Sequence, residues 1–464
     1  MQKKVNLDGN IKHVHFVGIG GISMSGLAEI LYLDGYTISG SDWAVSDITR
    51  HLASLGIGFR LGHEANYITD DIDLVVHTAA VKPSNPEIIA AKHKNIPVID
   101  RAKLLGLIVK GYPNSVAVAG VHGKTTTTAI IAEVLLSANL DPTISIGGFM
   151  ESTGSNFRIG NSPYLVLEAC EYYDTFLQFY PKVGVILNIE LDHQDYFGTL
   201  ERIVDSFHRF AQNISKDGTL IIHKNIPFLD EITKNLSCKV ITYGTPDARF
   251  WARSIRYNQQ GLPSFYIMDG QMTVAETALK LRGAHNIDNA LAAVAVATTF
   301  NISSEDMVKG ISQTSGTKRR FEYKGTFKNA TIVDDYAHHP TEIKACLSAA
   351  AQGAYKRIIC AFQPHTYTRT QNLIEEFATA FEHADIVLIL PIYAARESFI
   401  GPYTNYLSEL LTKRICDNNK EVYFVDGFKA AADWIKKNIQ SEDILITMGA
   451  GDVNILGEDL ILGK

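Results

Sequence analysis

Between Val116 and Thr128 the chain reads Val-Ala-Val-Ala-Gly-Val-His-Gly-Lys-Thr-Thr-Thr-Thr. The apolar run predicts a buried strand, Gly120 and Gly123 a turn, and Lys124 the start of a helix. That order builds a phosphate cradle. The glycines carry no Cβ, so backbone N–H groups can approach phosphate oxygens. The helix N-terminus adds unpaired donors and partial positive charge. Lys124 has the reach for terminal phosphates, and the Thr125 hydroxyl suits Mg2+. The usual phosphate loop has a further glycine five residues before Gly123. Here that position is Val118, leaving a shorter Gly-x-x-Gly-Lys-Thr form.

Two carboxylate-ended strands follow. Tyr164-Leu-Val-Leu-Glu168 ends in an acid, and the run from Val183 ends in Asp192-His193. In open α/β sheets the carboxyl ends of strands face the ligand crevice. Glu168 is therefore a candidate Mg2+ ligand beside Thr125, and His193 a candidate for a second cation through a neutral ring nitrogen. Two cations would neutralise charge building on a transferring phosphoryl group. The competing structural roles are a helix cap for Glu168 and a surface position for His193. Glu171 is a weaker candidate, and Cys170 between the acids reads as a small apolar residue.

A different glycine motif lies upstream. His15-Phe-Val-Gly18-Ile-Gly20-Gly21-Ile-Ser23 follows a strand and opens a helix, and a second strand ends at Gly40-Ser41-Asp42, where a dinucleotide fold places a ribose-binding acid. A nicotinamide enzyme is one reading. Against it, Ser23 replaces the third fingerprint glycine, and a second nucleotide turn already lies downstream. A nucleotide-linked substrate here and ATP at the second turn fit the pair of motifs better. Asp42 as the cap of the next helix is the plain structural alternative.

Three later constellations complete the set. Gly283-Ala-His285-Asn286-Ile-Asp-Asn289 opens a helix with amide side chains able to meet an adenine edge, although Asn286 also makes a good N-cap. Lys318-Arg319-Arg320-Phe321-Glu322 precedes Asp334-Asp335-Tyr336-Ala-His338-His339-Pro340, and an arginine at a domain joint can swing onto a transferring phosphate. Phe362-Gln-Pro-His365-Thr-Tyr-Thr-Arg369 follows another strand. Arg369 can clamp a carboxylate with forked hydrogen bonds, and His365 can orient or deprotonate an amine.

The elements that must position these residues are legible as a pattern. Short β-branched runs alternate with helical stretches almost throughout: Val14–Val17, Leu74–His77, Val116–Ala119, Tyr164–Leu167, Val183–Leu187, Ile332–Val333, Arg357–Ala361, Ile386–Leu390 and Asp443–Thr447. Continuous apolar strands followed by helices indicate parallel sheets covered on both faces. At 464 residues, with ~150 per domain, the chain has room for about three. Joints at Lys110-Gly-Tyr-Pro-Asn114 and Ser312–Thr317 divide it into 1–110, 111–314 and 315–464. The expected fold is α/β, with Rossmann-like first and third domains around a phosphate-loop domain containing a parallel sheet. The net charge of −7 gives no electrostatic case for nucleic acid. Five scattered cysteines, with no Cys-x-x-Cys pair, suit a reducing compartment. No signal-peptide region is evident at the start, and no apolar run approaches the ~18 residues of a membrane span. The expectation is a cytoplasmic protein.

Taken in order, these motifs resemble the Mur ligases across essentially the whole chain. The resemblance rests on Gly18–Gly21 with Met24, Gly120–Thr128, Glu168-Ala-Cys-Glu171, Asn188-Ile-Glu-Leu-Asp-His193, Gly283–Asn289, Arg319-Arg320-Phe321, Asp335–Pro340, Gln363–Arg369 and Met448-Gly-Ala-Gly-Asp452. It is nearest to the members that join L-alanine to UDP-N-acetylmuramate in peptidoglycan precursor synthesis, through an acyl phosphate. It implies that Gly18, Gly20, Gly21, Ser41, Asp42 and His122 serve the UDP-sugar. ATP falls to Gly120, Val121, His122, Gly123, Lys124, Thr125, Thr126, Asn289, Arg320 and Asp335. Tyr336, His365 and Arg369 surround the amino acid, and Thr125, Glu168 and His193 hold Mg2+, two ions with ATP. The catalytic set is Lys124, Glu168, His193, Arg320 and His365. A monomer or weak dimer is implied. The family often has Glu-Ala-Asp-Glu where Cys170 stands, which leaves the role of Glu171 open. It often has Pro-His-Arg where Thr366 stands, which shifts weight to Arg369. Some relatives carry a modified lysine beyond the Asp-His pair. Asp205–Phe210 offers none, leaving His208 or Arg209 as stand-ins. The alternatives are a ligase attaching a preformed tripeptide to the same UDP-sugar and, in another class, a nicotinamide-dependent dehydrogenase.

Overall fold

The computed structural model describes residues 5–463 apart from 8, 79, 195, 396, 398–404 and 419. The chain condenses into two compact units, Met1–Arg249 with Ala292–Gly310, and Phe250–Leu291 with Ile311–Lys464.

The first unit carries two sheets. Strands β1 (His13–Val17), β2 (Thr37–Asp42), β3 (Gly58–Leu61), β4 (Leu74–His77) and β5 (Val98–Asp100) run parallel in the order β3-β2-β1-β4-β5. The order reverses beside β1, so the Gly18–Gly21 turn leaves the sheet at its switch point, where open α/β sheets bind ligands. Val14, Phe16 and Val17 are all fully buried, as a strand covered on both faces requires. The second sheet contains β6 (Asn114–Ala119), β7 (Thr143–Met150), β8 (Ser155–Arg158), β9 (Tyr164–Glu168), β10 (Val183–Ile186), β11 (Thr219–His223) and β12 (Lys239–Tyr243). These follow the order β12-β11-β10-β6-β9-β7-β8, parallel except for the β7–β8 hairpin. In register, Val118 lies opposite Glu168 and Ala119 opposite Ile186. The turn after β6 therefore emerges between the ends of β9 and β10. One apolar core joins the two sheets, running from Val14 and Phe16 through Leu104 to Ala117, Leu167 and Phe207. The approach is close at Gly26, where a Cβ would lie 2.3 Å from the Phe157 ring.

The second unit begins with an antiparallel meander of β13 (Phe250–Tyr257), β14 (Pro263–Asp269) and β15 (Met272–Ala278). This departs from the expected strand–helix alternation. Asp269-Gly270 supplies the tight turn, with Gly270 at φ 58°. Then come β16 (Glu322–Phe327), β17 (Ala330–Asp335), β18 (Ile358–Phe362), β19 (Ile386–Ile389), β20 (Glu421–Phe424) and β21 (Ile444–Met448), ordered β16-β17-β21-β18-β19-β20. Only the β16 edge is antiparallel. Separate apolar clusters cover the sheet, one including Phe362, Phe377 and Phe381, the other Ile359, Leu388 and Ile435. Every apolar run singled out from the sequence lies in a strand to within one residue at either end, and the α/β class holds. Among the described residues no helix is long and apolar enough to cross a membrane.

Candidate functional site

The turn after β6 takes the shape its glycines allow. Gly120 has φ 142° and Gly123 φ 83°, both in the region that favours glycine, and the helix Lys124–Ser137 starts directly after. Its first intrahelical bond is Thr127 N to Gly123 O at 2.9 Å, so the amides of residues 124–126 precede the helix's own pairing. Asn188 braces the turn. Its Oδ1 accepts from His122 N at 2.8 Å, its Nδ2 donates to His122 O at 2.9 Å, and its backbone O accepts from Val121 N at 3.4 Å. Two amides expected to serve phosphate are thus committed to Asn188, and the helix amides remain as the donors.

Lys124 is the hub. Its Nζ donates to Gly120 O at 2.5 Å, Val121 O at 3.1 Å and Glu171 Oε2 at 2.9 Å. Burial works to lower its pKa, but the charge of Glu171, helped by Cys170 and Glu168, outweighs that and holds it raised. Glu171, the weaker candidate from the sequence, is 2% exposed and central. His193 Nε2 approaches its Oε1 at 3.6 Å, and the His193 ring stacks on Tyr172 with centroids 4.1 Å apart. Glu168 at the end of β9 accepts from Gly147 N at 2.6 Å. The 3-10 turn Tyr172–Gln178 that follows has no side-chain cap, so Glu168 is not a helix cap. Lys124 thus lies among Glu168, Glu171 and, through Glu171, His193. His208 points elsewhere, its Nδ1 3.0 Å or less from Ile232 O (2.9 Å) and its Nε2 on Gln212, while Arg209 faces Asp174.

At the first glycine turn, Ser41 O accepts from Gly18 N at 2.8 Å and Ile19 N at 3.0 Å, and Asp42 Oδ2 accepts from Gly20 N at 2.9 Å. Asp42 therefore braces the turn. The next helix, Asp47–Ser54, is capped by Ser46 instead, in a capping box with Thr49. A Cβ on Gly18 would lie 2.6 Å from Thr78 Cγ2, and one on Gly20 would lie 2.9 Å from Asp42 Oδ2. The Ser23 hydroxyl accepts from Arg101 Nη1 at 2.9 Å.

In the second unit the arginine pair divides its labour. Arg319 is tied down, donating to Asp334 at 2.9 Å, Gly451 O at 2.9 Å and Gly449 O at 2.6 Å. Arg320 lies over the Tyr336 ring at 5.3 Å, with Glu342 at 3.9 Å. Asp335 accepts from Phe321 N and Ala337 N, each at 2.8 Å, and so pins the strap that carries Arg320. Burial pushes its pKa up to about 6, against the pull of Arg320. Asn289 donates to Asn286 Oδ1 at 2.9 Å, and Asn286 to Arg282 O at 2.7 Å. The helix begins at His285, so Asn286 lies inside it rather than capping it. His285 is pushed down to about 4 by burial.

Arg369 Nη1 lies 3.1 Å from His365 Nδ1. A guanidinium only donates, so Nδ1 is the acceptor and a neutral His365 carries its proton on Nε2. In this geometry His365 orients by donating rather than by taking a proton. Tyr393 stacks on it at 5.8 Å and His338 meets it edge-on at 5.6 Å. Tyr393 was not foreseen. It reaches His365 because β18 and β19 are neighbours whose ends form a bridge there.

Family models match the chain in three consecutive stretches. Residues 13–113 match the Mur ligase family catalytic domain, 118–297 the Mur ligase middle domain and 319–451 the Mur ligase glutamate ligase domain. The chain is 46% identical over 467 residues to the UDP-N-acetylmuramate–L-alanine ligase of Acetivibrio thermocellus, covering 100% of this chain and 99% of that one. It is 44% identical over 458 residues to the enzyme of the same name from Clostridium novyi, covering 99% of each. Among solved structures, the crystal structure of UDP-N-acetylmuramate–alanine ligase from Thermotoga maritima matches with a TM-score of 0.77 at 27% identity, over 97% of this chain and 98% of that one. Both glycine turns and the His365–Arg369 pair fall within the matched stretches, and on likeness of this length and degree the chain belongs to the Mur ligase family.

Proposed function

We propose that this chain is an ATP-dependent ligase that joins L-alanine to UDP-N-acetylmuramate. The observation that carries the reading is one compact unit holding two distinct glycine turns, Gly18–Gly21 and Gly120–Gly123, the second followed directly by a largely buried lysine. Two turns suit a nucleotide-linked substrate and a triphosphate. The full-length likeness to L-alanine ligases selects the substrates. On this reading residues 1–110 take the UDP-sugar, 111–314 ATP and 315–464 the amino acid.

A carboxylate oxygen of the lactyl group attacks the terminal phosphorus, the bond to ADP breaks, and an acyl phosphate forms. The neutral amine of alanine then attacks the acyl carbon, phosphate leaves, and the proton that the nitrogen loses passes to the departing phosphate, giving the amide. Lys124 and the helix amides hold the terminal phosphates, and Arg320 offers a second cation for them. Arg369 pairs with the amino-acid carboxylate, and His365 Nε2–H orients the substrate. Such groups act by positioning and by matching developing charge. Thr125, Glu168 and His193 fit Mg2+, since they supply hard oxygen and imidazole donors around the acidic cluster that Lys124 pairs with. Bound there, Mg2+ would neutralise phosphate charge. The need for ATP supports a cytoplasmic location, and we treat the chain as a monomer or weak dimer.

The test is phosphate release from ATP and Mg2+ with UDP-N-acetylmuramate, with L-alanine, other amino acids and a tripeptide supplied separately. Release that depends on both L-alanine and the UDP-sugar is the expected result. Release with the tripeptide only would move the assignment to a peptide-attaching ligase. No release with any acceptor would overturn the ligase reading.

A further inference from the structure

Beneath the first glycine turn lies a buried polar hub of which only Ser41 has been given a role, toward the UDP-sugar. Glu87, in the helix Pro86–His93, is fully buried. Its carboxylate accepts from His15 Nε2 at 2.7 Å, His63 Nδ1 at 2.5 Å and Ser41 Oγ at 2.7 Å. The His15 and His63 side chains are 1% and 3% exposed. The three donors come from β1, from β2 and from the turn after β3. A buried carboxylate is costly unless it is fully paired, so the hub fixes these groups in one arrangement.

The fixed His63 ring has a neighbour of the opposite character. The Trp43 ring stands perpendicular to it, with centroids 4.7 Å apart at 89°, yet Trp43 is 75% exposed. It directly follows Asp42, which holds Gly20 N. Single exposed apolar residues are ordinary. This one stands perpendicular to an anchored ring, at the carboxyl ends of parallel strands, beside a turn built for a nucleotide. At 75% exposure most of its indole surface is open. The turn itself recognises phosphates, which every nucleoside diphosphate shares, so discrimination of the base needs another group.

We propose that Trp43 is the stacking platform for the uracil ring of the nucleotide-linked substrate, and that His63, anchored by Glu87, is the residue that positions it. This rests on the UDP-sugar reading above. Base–aromatic stacking typically contributes enough for about a tenfold change in affinity or more.

The experiment titrates UDP and, separately, inorganic pyrophosphate into the full chain and its Trp43→Ala, Trp43→Phe, His63→Ala and Trp43→Ala/His63→Ala variants by calorimetry. Trp43→Ala is expected to weaken UDP about tenfold and leave pyrophosphate binding as it was, with Trp43→Phe retaining most of the UDP affinity. His63→Ala is expected to weaken UDP less, and the double variant no more than Trp43→Ala alone, because His63 acts through Trp43. In turnover, the loss is expected in KM for the UDP-sugar rather than in kcat. The chain has three tryptophans, and UDP quenching of their fluorescence is expected to disappear in Trp43→Phe. UDP binding equally tight in wild type and Trp43→Ala would overturn the platform alone. Additive losses in the double variant would overturn the positioning role. No binding of UDP to wild type would overturn the substrate reading and the platform with it.

Discussion

Glu171→Gln, combined with Lys124→Met, puts the central ion pair to a quantitative test. The charged atoms are 2.9 Å apart, and the side chains are 16% and 2% exposed. At an effective dielectric of ~20, Coulomb's law gives an attraction of about 6 kcal/mol before desolvation is charged against it. What an experiment reads is smaller. Breaking one half of a buried pair typically costs ~3–5 kcal/mol, because the other charge is left uncompensated. Lys124 keeps two carbonyl acceptors, Gly120 O and Val121 O, when Glu171 is neutral, and Glu171 keeps His193 nearby when Lys124 is gone. Each single variant is therefore expected at the lower end, about 3 kcal/mol less stable than wild type. Removing both charges leaves neither stranded, so the double variant should be about as stable as either single. The coupling in the cycle is then about 3 kcal/mol.

The assay is urea unfolding of the four proteins without nucleotide, checked by hydrogen exchange in the helix Lys124–Ser137 so that the stability read belongs to this region. Coupling below ~0.5 kcal/mol, with the double variant equal to the sum of the singles, would refute the pairing. Activity gives a separate readout. Lys124→Met should lower phosphate release a hundredfold or more, since removing one well-placed charge-stabilising donor typically costs ~3 kcal/mol in the transition state.

Three other outcomes follow from local geometry. A Cβ on Gly147 would lie 2.7 Å from Glu168 Oε2, so Gly147→Ala should displace that carboxylate and raise the Mg2+ needed for half-maximal turnover about tenfold; an overlaid Mg2+ curve would remove Glu168 from the metal site. His285 has its folded pKa depressed to about 4 by burial, below the ordinary 6.5, so its stabilising contribution is complete above pH 6.5 and is lost as pH falls through about 4, amounting to ~3 kcal/mol. Asp335, raised to about 6, works in the opposite sense, contributing below pH 3.8 and losing that as pH rises through 6, so the difference between wild type and His285→Asn in Tm against pH is the quantity to measure; parallel curves would refute the assignment to His285. Arg369→Lys loses the planar donor that reaches His365 Nδ1 at 3.1 Å and should raise KM for L-alanine about tenfold, with an unchanged KM placing the carboxylate elsewhere.

What the sequence disclosed was what is local. The loop from Val116 to Lys124 announces itself because β-branched residues, glycines and a lysine each have a narrow range of backbone uses, and they come in the order that a strand, a turn and a helix need. Asn188 was legible only as part of a motif. That it braces His122, 66 residues away, depends on β10 lying beside β6, which no local pattern states. Glu171 looked weak for the same reason, since its partner Lys124 is 47 residues upstream. The arginine pair shows a further limit. Arg319 and Arg320 are chemically identical neighbours, but Arg319, at φ 61°, is turned toward Asp334 and the Gly449 and Gly451 carbonyls, while Arg320 is not. The meander β13–β15 carried a readable signal, Asp269-Gly270 between alternating runs, which the stronger strand–helix pattern elsewhere obscured.

The prepaired cations also bear on how binding energy is used. Lys124 is already bonded to a carboxylate and two carbonyls, and its raised pKa means that it remains charged although buried. A triphosphate arriving at the turn cannot collect the full attraction of a bare ammonium. It collects the difference between phosphate and the partners that Lys124 must share or release. If Lys124 holds the triphosphate as proposed, that exchange should make ground-state binding of ATP modest and preserve a charge whose interaction grows as negative charge accumulates on the transferring group. Only interactions stronger in the transition state than in the ground state accelerate a reaction. Glu171 therefore has two consequences from one contact. It holds the pKa of a largely buried lysine raised, and on the proposed reading it would limit how tightly the same lysine holds ATP before the phosphoryl group moves. Glu171→Gln separates the two, because it should destabilise the free protein while leaving ATP-analogue affinity equal to or tighter than that of wild type. Weaker analogue binding in that variant would mean that Glu171 helps to hold the nucleotide rather than competing with it for Lys124.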